Sequence, residues 1–400
     1  MRICVVYDCV YPYTVGGAER WYRALAERLS AAGHTVTYVT MRQWPRGDRP
    51  DVSGVEVVSV GPQMELYTGP RRRILPPLLF GLGVFTHLLR HRRRYDVVHT
   101  ASFPYFSLLA AAAARPAGRY RLFADWHEVW TREYWRDYLG RAGGALGWRI
   151  QRRCVRVRQR AFCFSRLHER RLHEEGFRGE VTVLEGEYAG DLNGHEPLPP
   201  LPLVVFAGRL IPEKRAPAVV TAVAEARRRL PELRAKVFGD GPEREAVLRT
   251  IGELGVGDTV EAPGFVAADE VESAMREALC LLLPSRREGY GLVVVEASAA
   301  GTPSIVVRDP DNAATELVAE GENGFVAPSA DAEDLAAAIV RVHEAGDALR
   351  RSTADWFRRN GRRLSLESSL ETVLAAYKDC PASGQGSDIY TAKRLGTRGP

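Results

Sequence analysis

Residues 281–303 read LLLPSRREGYGLVVVEASAAGTP. The short apolar run closed by Pro284 and Ser285 is the pattern of a buried strand, and GLVVVEASAAG (291–301) continues as a helix after a polar, glycine-bearing loop. Strand, loop and helix in that order form one arm of a crossover unit, the building block of a parallel sheet. The loop carries Glu288, Gly289, Tyr290 and Gly291; the helix opens near Gly291 and carries Glu296. Free N–H groups and the positive dipole end at such a helix start suit a phosphate. A carboxylate just inside the helix is placed to accept both hydroxyls of a ribose, and one in the loop can hold those of a sugar.

The same alternation runs outward in both directions. Toward the N-terminus it gives strands RICVVYD (2–8), TVTYVT (35–40), GVEVVSV (54–60), DVVHT (96–100), YRLFAD (120–125), CFS (163–165) and VTVLEG (181–186). Helices are expected at 18–33, where Trp21, Leu25 and Leu29 share a face and Gly33 ends the run, near 77–94, near 105–114 and through LHERRLHEEG. DLNGHEPLPPLP (191–202) has four prolines and no period, so it is a linker. Beyond it come LVVFAG (203–208), AKVFG (235–239), TVEAPG (259–264), PSIVV (303–307) and FVAP (325–328). Helices are expected near 216–230, from 242, at 268–278 and near 313–320, with three more to about 378. The expected architecture is α/β: two doubly wound, Rossmann-like domains, 1–190 and 203–360, facing a cleft. A C-terminal helix within 361–380 packs back on the first domain, and the tail 381–400 is disordered. Ligands of such sheets bind beyond the carboxyl ends of the strands.

Composition agrees with a folded chain: 45% of residues are hydrophobic and 26% charged, which excludes wholesale disorder. No run approaches ~18 apolar residues and MRICVVYD is no signal peptide, so a cytoplasmic protein is expected. Six scattered cysteines without CxxC pairs give no metal or redox framework. The charge is uneven: residues 1–200 hold 30 Arg/Lys against 20 Asp/Glu, and residues 201–400 hold 25 against 30. Only four of the 55 basic residues are lysine, so the arginine-rich runs at 71–73, 91–94 and 152–160 read first as solvated surface. Peripheral contact with the inner face of an anionic membrane is the second reading, and no nucleic acid is expected as a partner.

Several ligand classes drop out. Gly239 and Gly241 begin a dinucleotide fingerprint that fails at Arg244, no GxxxxGK[ST] occurs, and His168 and His173 are five apart rather than four. What remains is FAGRLIPEKR (206–215), which puts Arg209 and Lys214 on the loop leaving a strand. Two fixed cations there suit a diphosphate and stabilise charge on a leaving pyrophosphate.

With EGYGLVVVE, the GRLxxxK loop, FGDGPE, Gly264-Phe265 and ELVAEGENGFV (316–326), the chain resembles the family 4 retaining glycosyltransferases of the GT-B fold. The resemblance is dense from 203 to 328 and looser before 200. It implies that Arg209 and Lys214 hold the donor diphosphate, Glu296 the ribose and Glu288 the transferred sugar. The rest of the EGYGL stretch (Gly289, Tyr290, Gly291, Leu292) lines the donor site, and Phe265 and Val266 lie by the base. In the first domain VGGAER (15–20) matches the family's glycine-rich loop, so Gly16 and Gly17 let backbone approach phosphates and sugar. ADWHEVW (124–130) matches its strand-end histidine, placing His127 at the reacting centre. The aromatics Trp126, Trp130, Tyr134 and Trp135 read as core.

Two stretches depart from the family: VLEGEYAG sets Glu185 and Glu187 where a neutral amide is usual, and RDPDNAATELV replaces a glycine-rich approach to Glu316. The implied function is transfer of a hexose-type sugar from a nucleoside-diphosphate sugar, UDP or GDP first, to a hydroxyl of a small-molecule, glycan or lipid-linked acceptor. No cofactor is held tightly and no divalent metal is required. A sugar-nucleotide epimerase, a non-catalytic partner subunit, and a non-catalytic nucleic-acid or anionic-membrane binder are the alternatives.

Overall fold

The computed structural model describes residues 1–379 except 15, 46, 49, 69 and 70, so the tail 381–400 and Cys380 lie outside the described residues. The first half contains β1 (Arg2–Val6), α1 (Gly17–Ala31), β2 (Thr35–Thr40), β3 (Val55–Ser59), the pair β4 (Tyr67–Thr68) and β5 (Arg71–Arg72), and α2 (Leu75–Arg90). It continues through β6 (Val97–Ala101), α3 (Phe106–Gly118), β7 (Arg121–Trp126), α4 (Arg132–Val155), β8 (Arg160–Cys163), α5 (Arg166–Glu174) and β9 (Val181–Val183). Seven of these strands form one parallel sheet in the order β3-β2-β1-β6-β7-β8-β9. Strands buried on both faces are apolar throughout, as in Ile3–Val6, where no side chain is exposed.

The second half repeats the plan with β10 (Leu203–Ala207), α6 (Pro217–Ala226), β11 (Arg234–Phe238), α7 (Arg244–Leu254), β12 (Val260–Gly264), α8 (Ala268–Glu277) and β13 (Cys280–Leu283). Then come β14 (Arg287–Glu288), α9 (Leu292–Ala299), β15 (Ser304–Val307), β16 (Asp311–Asn312), β17 (Gly324–Ala327), α10 (Ala332–Asn360) and α11 (Leu366–Asp379). Six strands form the second parallel sheet, β12-β11-β10-β13-β15-β17, and β14 pairs with β16 apart from it. The protein is thus two doubly wound α/β sheets in the GT-B arrangement. In each sheet the strand order reverses beside the first strand, between β1 and β6 and between β10 and β13. Such a reversal opens a crevice at the carboxyl ends because the flanking crossovers go to opposite faces.

α11 lies on the first sheet. The Tyr377 hydroxyl meets Nδ1 of His99, whose Nε2 is 2.6 Å from Asp125, and Asp125 also accepts from the Trp21 indole at 2.8 Å. All four side chains are buried. Burial alone would raise the Asp125 carboxyl; His99, then His127 and Trp21, hold it below its ordinary value.

The structure corrects several expected elements. The helix near 313–320 is a short 3-10 turn, Ala313–Leu317, because the Asn312 side chain bonds the Ala314 amide and the Ser285 and Val307 carbonyls and fixes the chain locally. The strand at 163–165 lies earlier, at Arg160–Cys163. The three late helices are two, the first of them kinked at Gly346, where φ is +57°. The expected list lacked α4, which is itself broken by Gly140 at φ +74°. The five described cysteines are buried and none is in a disulfide. Among the described residues no helix is long and apolar enough to cross a membrane.

Candidate functional site

The two carboxyl edges face each other, and the expected site residues lie along them. On the second half, β10 ends at Ala207; Arg209 follows, its side chain exposed and without an ion pair among the described residues, and Lys214 closes a 3-10 turn at Pro212–Lys214. The neighbouring strand β13 ends at Leu283 and leads to Ser285 and Glu288. Adjacent strands are ~5 Å apart, so the two loops must meet. Lys214 Nζ donates to Glu288 Oε1 at 2.5 Å, and the Ser285 hydroxyl donates to the same oxygen at 2.7 Å. Glu288 is buried, and these two donors satisfy its Oε1.

Gly291 precedes α9 with φ +105°, and a Cβ there would come within 2.6 Å of the Ala314 Cβ. Only glycine turns the chain there into a helix whose first N–H groups point into the crevice. Leu292 and Val293 sit half-buried in the first turn. Glu296, one turn on, is exposed at its surface yet crowded by the crevice walls. That crowding raises its carboxyl, Arg20 of α1 opposes the shift, and Glu272 adds to it. Phe265 is 77% exposed just past β12, two strands or ~10 Å from β10, and Val266 beside it is half-buried. Neither touches the Lys214–Glu288 pair.

The first half supplies the facing wall. Gly16 is extended and leads into α1 at Gly17. A Cβ on Gly17 would lie 4.0 Å from an oxygen of Glu187. Burial, with Asp125 second, pushes the Glu187 carboxyl up to about 7. Glu185 behaves differently: it is paired with Arg166 at 3.2 Å and Arg363 at 3.0 Å. Of the two unusual carboxylates, only Glu187 adds polarity beside the glycine loop.

His127 sits directly after β7. Its ring stacks on Phe164 at 4.2 Å and 12° and meets Tyr22 edge-on. Nε2 is buried without a partner among the described residues. Burial pulls the imidazole below its ordinary value, only partly opposed by Asp125 and Glu128. A neutral ring with a buried, unpaired nitrogen is a polar group awaiting a ligand hydroxyl or water.

Contacts across the crevice bring the walls together. A Cβ on Gly289 would meet the His127 carbonyl oxygen at 2.9 Å, so this approach requires glycine. The Tyr290 hydroxyl donates to the Glu185 carbonyl at 2.7 Å. Glu316 accepts from the Arg166 and Leu167 amides at the start of α5, and Arg171 pairs with Asp311 at 2.6 Å.

The residue that sequence reasoning missed is Arg287. Its guanidinium donates to Glu128 at 2.6 Å, lies 3.7 Å from Glu213 and covers the rings of Trp130 at 4.8 Å and Tyr134 at 4.4 Å. Tyr134 in turn donates to Glu213 at 2.7 Å. Burial would raise Glu128; Arg287, ahead of His168 and Trp130, holds it below its ordinary value. Trp130 and Tyr134 are buried as expected, but they also form the aromatic seat of this clamp. No local signal marks Arg287, because its partners lie up to 159 positions away.

The arrangement offers two cations, a buried carboxylate, a helix N-terminus and a neutral histidine around one crevice. Two family profiles match the chain: residues 15–186 match Glycosyltransferase Family 4, and residues 195–363 match Glycosyl transferases group 1. A curated relative, the GDP-mannose-dependent alpha-(1-6)-phosphatidylinositol monomannoside mannosyltransferase of Mycolicibacterium smegmatis, is 32% identical over 145 residues, 34% of this chain and 37% of that protein. The matched stretches span less than half the length of the curated relatives. Among solved structures, sucrose-phosphate synthase from Thermosynechococcus elongatus superposes with a TM-score of 0.77 at 19% identity, covering 94% of this chain and 98% of that one. Anabaena HepE in complex with UDP-glucose gives 0.71 at 18%, covering 95% and 100%. At these identities the structural likeness speaks for the fold, while the profiles between them take in both halves: the chain belongs to the family 4 glycosyltransferases.

Proposed function

We propose that the protein is a retaining glycosyltransferase that moves a hexose-type sugar from a nucleoside-diphosphate sugar to an acceptor hydroxyl. The observation that carries this reading is the Lys214–Glu288 pair beside the glycine-started helix α9, facing Gly17 and His127 across the crevice. The diphosphate would lie on Arg209, Lys214 and the first N–H groups of α9, with the base toward Phe265 and Val266 at the end of β12 and the ribose on Glu296. Two strand spacings separate the phosphate and base positions, which suits an extended nucleotide.

In this scheme the bond from the anomeric carbon to the leaving phosphate breaks. The acceptor oxygen forms its bond on the same face, and its proton passes to the departing phosphate. The protein supplies position and charge: Arg209, Lys214 and the helix dipole meet the growing negative charge on the diphosphate. Glu288 meets positive character at the anomeric carbon once the incoming diphosphate draws Lys214 away from it. His127, neutral, bonds a sugar hydroxyl through its unpaired nitrogen. The scheme needs no metal. The Arg287 clamp excludes water while the bond is broken, which limits hydrolysis.

UDP and GDP donors are tested first, since one relative is GDP-mannose-dependent and one neighbour was solved with UDP-glucose. A thermal-shift panel of UDP-, GDP-, ADP- and dTDP-sugars identifies the donor, because a ligand bound only by the folded state raises the melting temperature. No rise with any of them contradicts the proposal. With the donor known, the anomeric coupling in the NMR spectrum of the product tests retention.

A further inference from the structure

Thirteen large apolar side chains are exposed among the described residues, and five of them fall in one 16-residue stretch: Ile74, Leu75, Leu78, Leu82 and Leu89, between 37% and 67% exposed. Of the other eight, Leu192, Leu198 and Leu201 fall in the irregular 191–202 stretch and the rest are spread along the chain. Steps of three, four and seven put Leu75, Leu78, Leu82 and Leu89 on one face of α2, while Phe80, Val84 and Leu88 are buried on the other. The helix is apolar on both sides, and one of those sides is uncovered by the described residues. It is ~24 Å long, enough for a continuous stripe. A patch of this kind marks a docking surface.

Charge selects the occupant. From Leu66 to Tyr95 the sequence has no Asp or Glu. Arg73 and Arg94 are neutralised by Glu65 and Glu56, at 2.8 and 2.6 Å. Arg90, Arg92 and Arg93 are exposed at the end of the stripe and have no ion pair among the described residues. A second copy seated on this face would add three more such cations and, from residues 66–95, no acid. An anionic bilayer offers an apolar layer and negative headgroups side by side, which matches both features.

We propose that the outward face of α2 docks on an anionic lipid surface, with Leu75, Leu78 and Leu82 in the boundary between headgroups and acyl chains and Arg90, Arg92 and Arg93 on the headgroups. Because α2 leads into the parallel strand β6 and so ends at the opposite sheet edge, the stripe begins on the carboxyl edge that carries the crevice. The acceptor is therefore a lipid-borne hydroxyl. That last consequence rests on the function proposed above; the docking does not.

The test is co-sedimentation of the full chain with vesicles of phosphatidylcholine, with and without phosphatidylglycerol, at low and high salt. Partition at least ~10-fold stronger onto the anionic vesicles at low salt is expected. Leu75→Ser, Leu78→Ser and Leu82→Ser together should lower it at least ~10-fold, and Arg90→Glu, Arg92→Glu and Arg93→Glu together should abolish the preference for anionic lipid. All these positions are exposed, so circular dichroism should be unchanged. Wild-type protein left in the supernatant with both lipids overturns the proposal. So do variants that bind like wild type, or a wild-type dimer in gel filtration that the serine variant makes monomeric. The donor-induced thermal shift is read on the same samples. Vesicle binding without that shift supports the docking and contradicts the donor reading; the shift without vesicle binding does the reverse.

Discussion

Lys214 and Glu288 stand 74 positions apart in the chain and are joined at 2.5 Å at the carboxyl edge of the second sheet. In the proposed function, the cation that would meet the diphosphate is paired with a buried carboxylate until the donor arrives. Two consequences separate Lys214 from Arg209, which has no such partner. Lys214→Ala leaves the Glu288 charge supported by Ser285 alone, so it should destabilise the ligand-free protein by on the order of 2 kcal/mol. Arg209→Ala should leave the melting temperature unchanged. Both should lower kcat/KM at least ~100-fold, about 2.7 kcal/mol of transition-state stabilisation. Thermal melts and steady-state kinetics on the two variants check this; equal melting temperatures contradict the role given to the pair.

The carboxylates divide by role. Glu296→Ala should mainly raise the donor KM, because a ribose contact is alike in ground and transition states. Glu288→Gln should mainly lower kcat, because its charge counts as positive character grows at the anomeric carbon. Kinetics at saturating acceptor decide between them, and the opposite split would reverse the assignment.

Arg287 joins the two halves through Glu128 and two aromatic rings. Arg287→Lys keeps the charge but loses the planar, stacked geometry. Donor hydrolysis relative to transfer should rise several-fold in this variant and further in Arg287→Ala. An unchanged ratio of free sugar to product contradicts the clamp.

Glu187 is a carboxyl whose folded value, about 7, lies above its ordinary 4.5. The folded state then holds its proton more tightly than the unfolded state, so this group's contribution to stability falls as pH rises from about 4.5 to 7 and is flat above. Glu187→Gln removes that dependence. The variant should gain on wild type across this window, by on the order of 1–3 kcal/mol at its top. Melting temperatures from pH 4.5 to 8 check the sign; a constant offset contradicts the buried setting.

The sequence made legible what local chemistry encodes. Apolar runs such as Leu203–Phe206 and Leu281–Leu283 announce strands, and the loops that follow them necessarily fall at one sheet edge, which brings Lys214 and Glu288 together. It did not reveal what depends on distant partners. Arg287 looks like any surface arginine until Glu128, Trp130 and Tyr134 are folded against it, and His99 shows nothing of Asp125 and Tyr377. Glu185 and Glu187 are two positions apart, yet one is turned to Arg166 and Arg363 and the other to Gly17, a difference set by tertiary contacts alone. The 313–320 stretch misled because its helical composition yields to the hydrogen bonds of Asn312.

The proposed function stands on a crevice that binds a nucleoside-diphosphate sugar through Arg209 and Lys214. The direct measurement is the dissociation constant of the donor found in the thermal-shift panel, by titration calorimetry on wild type and on Arg209→Ala, whose fold is expected to be intact. Wild type should bind measurably and the variant at least ~10-fold more weakly, about 1.4 kcal/mol. Equal affinity for the two proteins would contradict it.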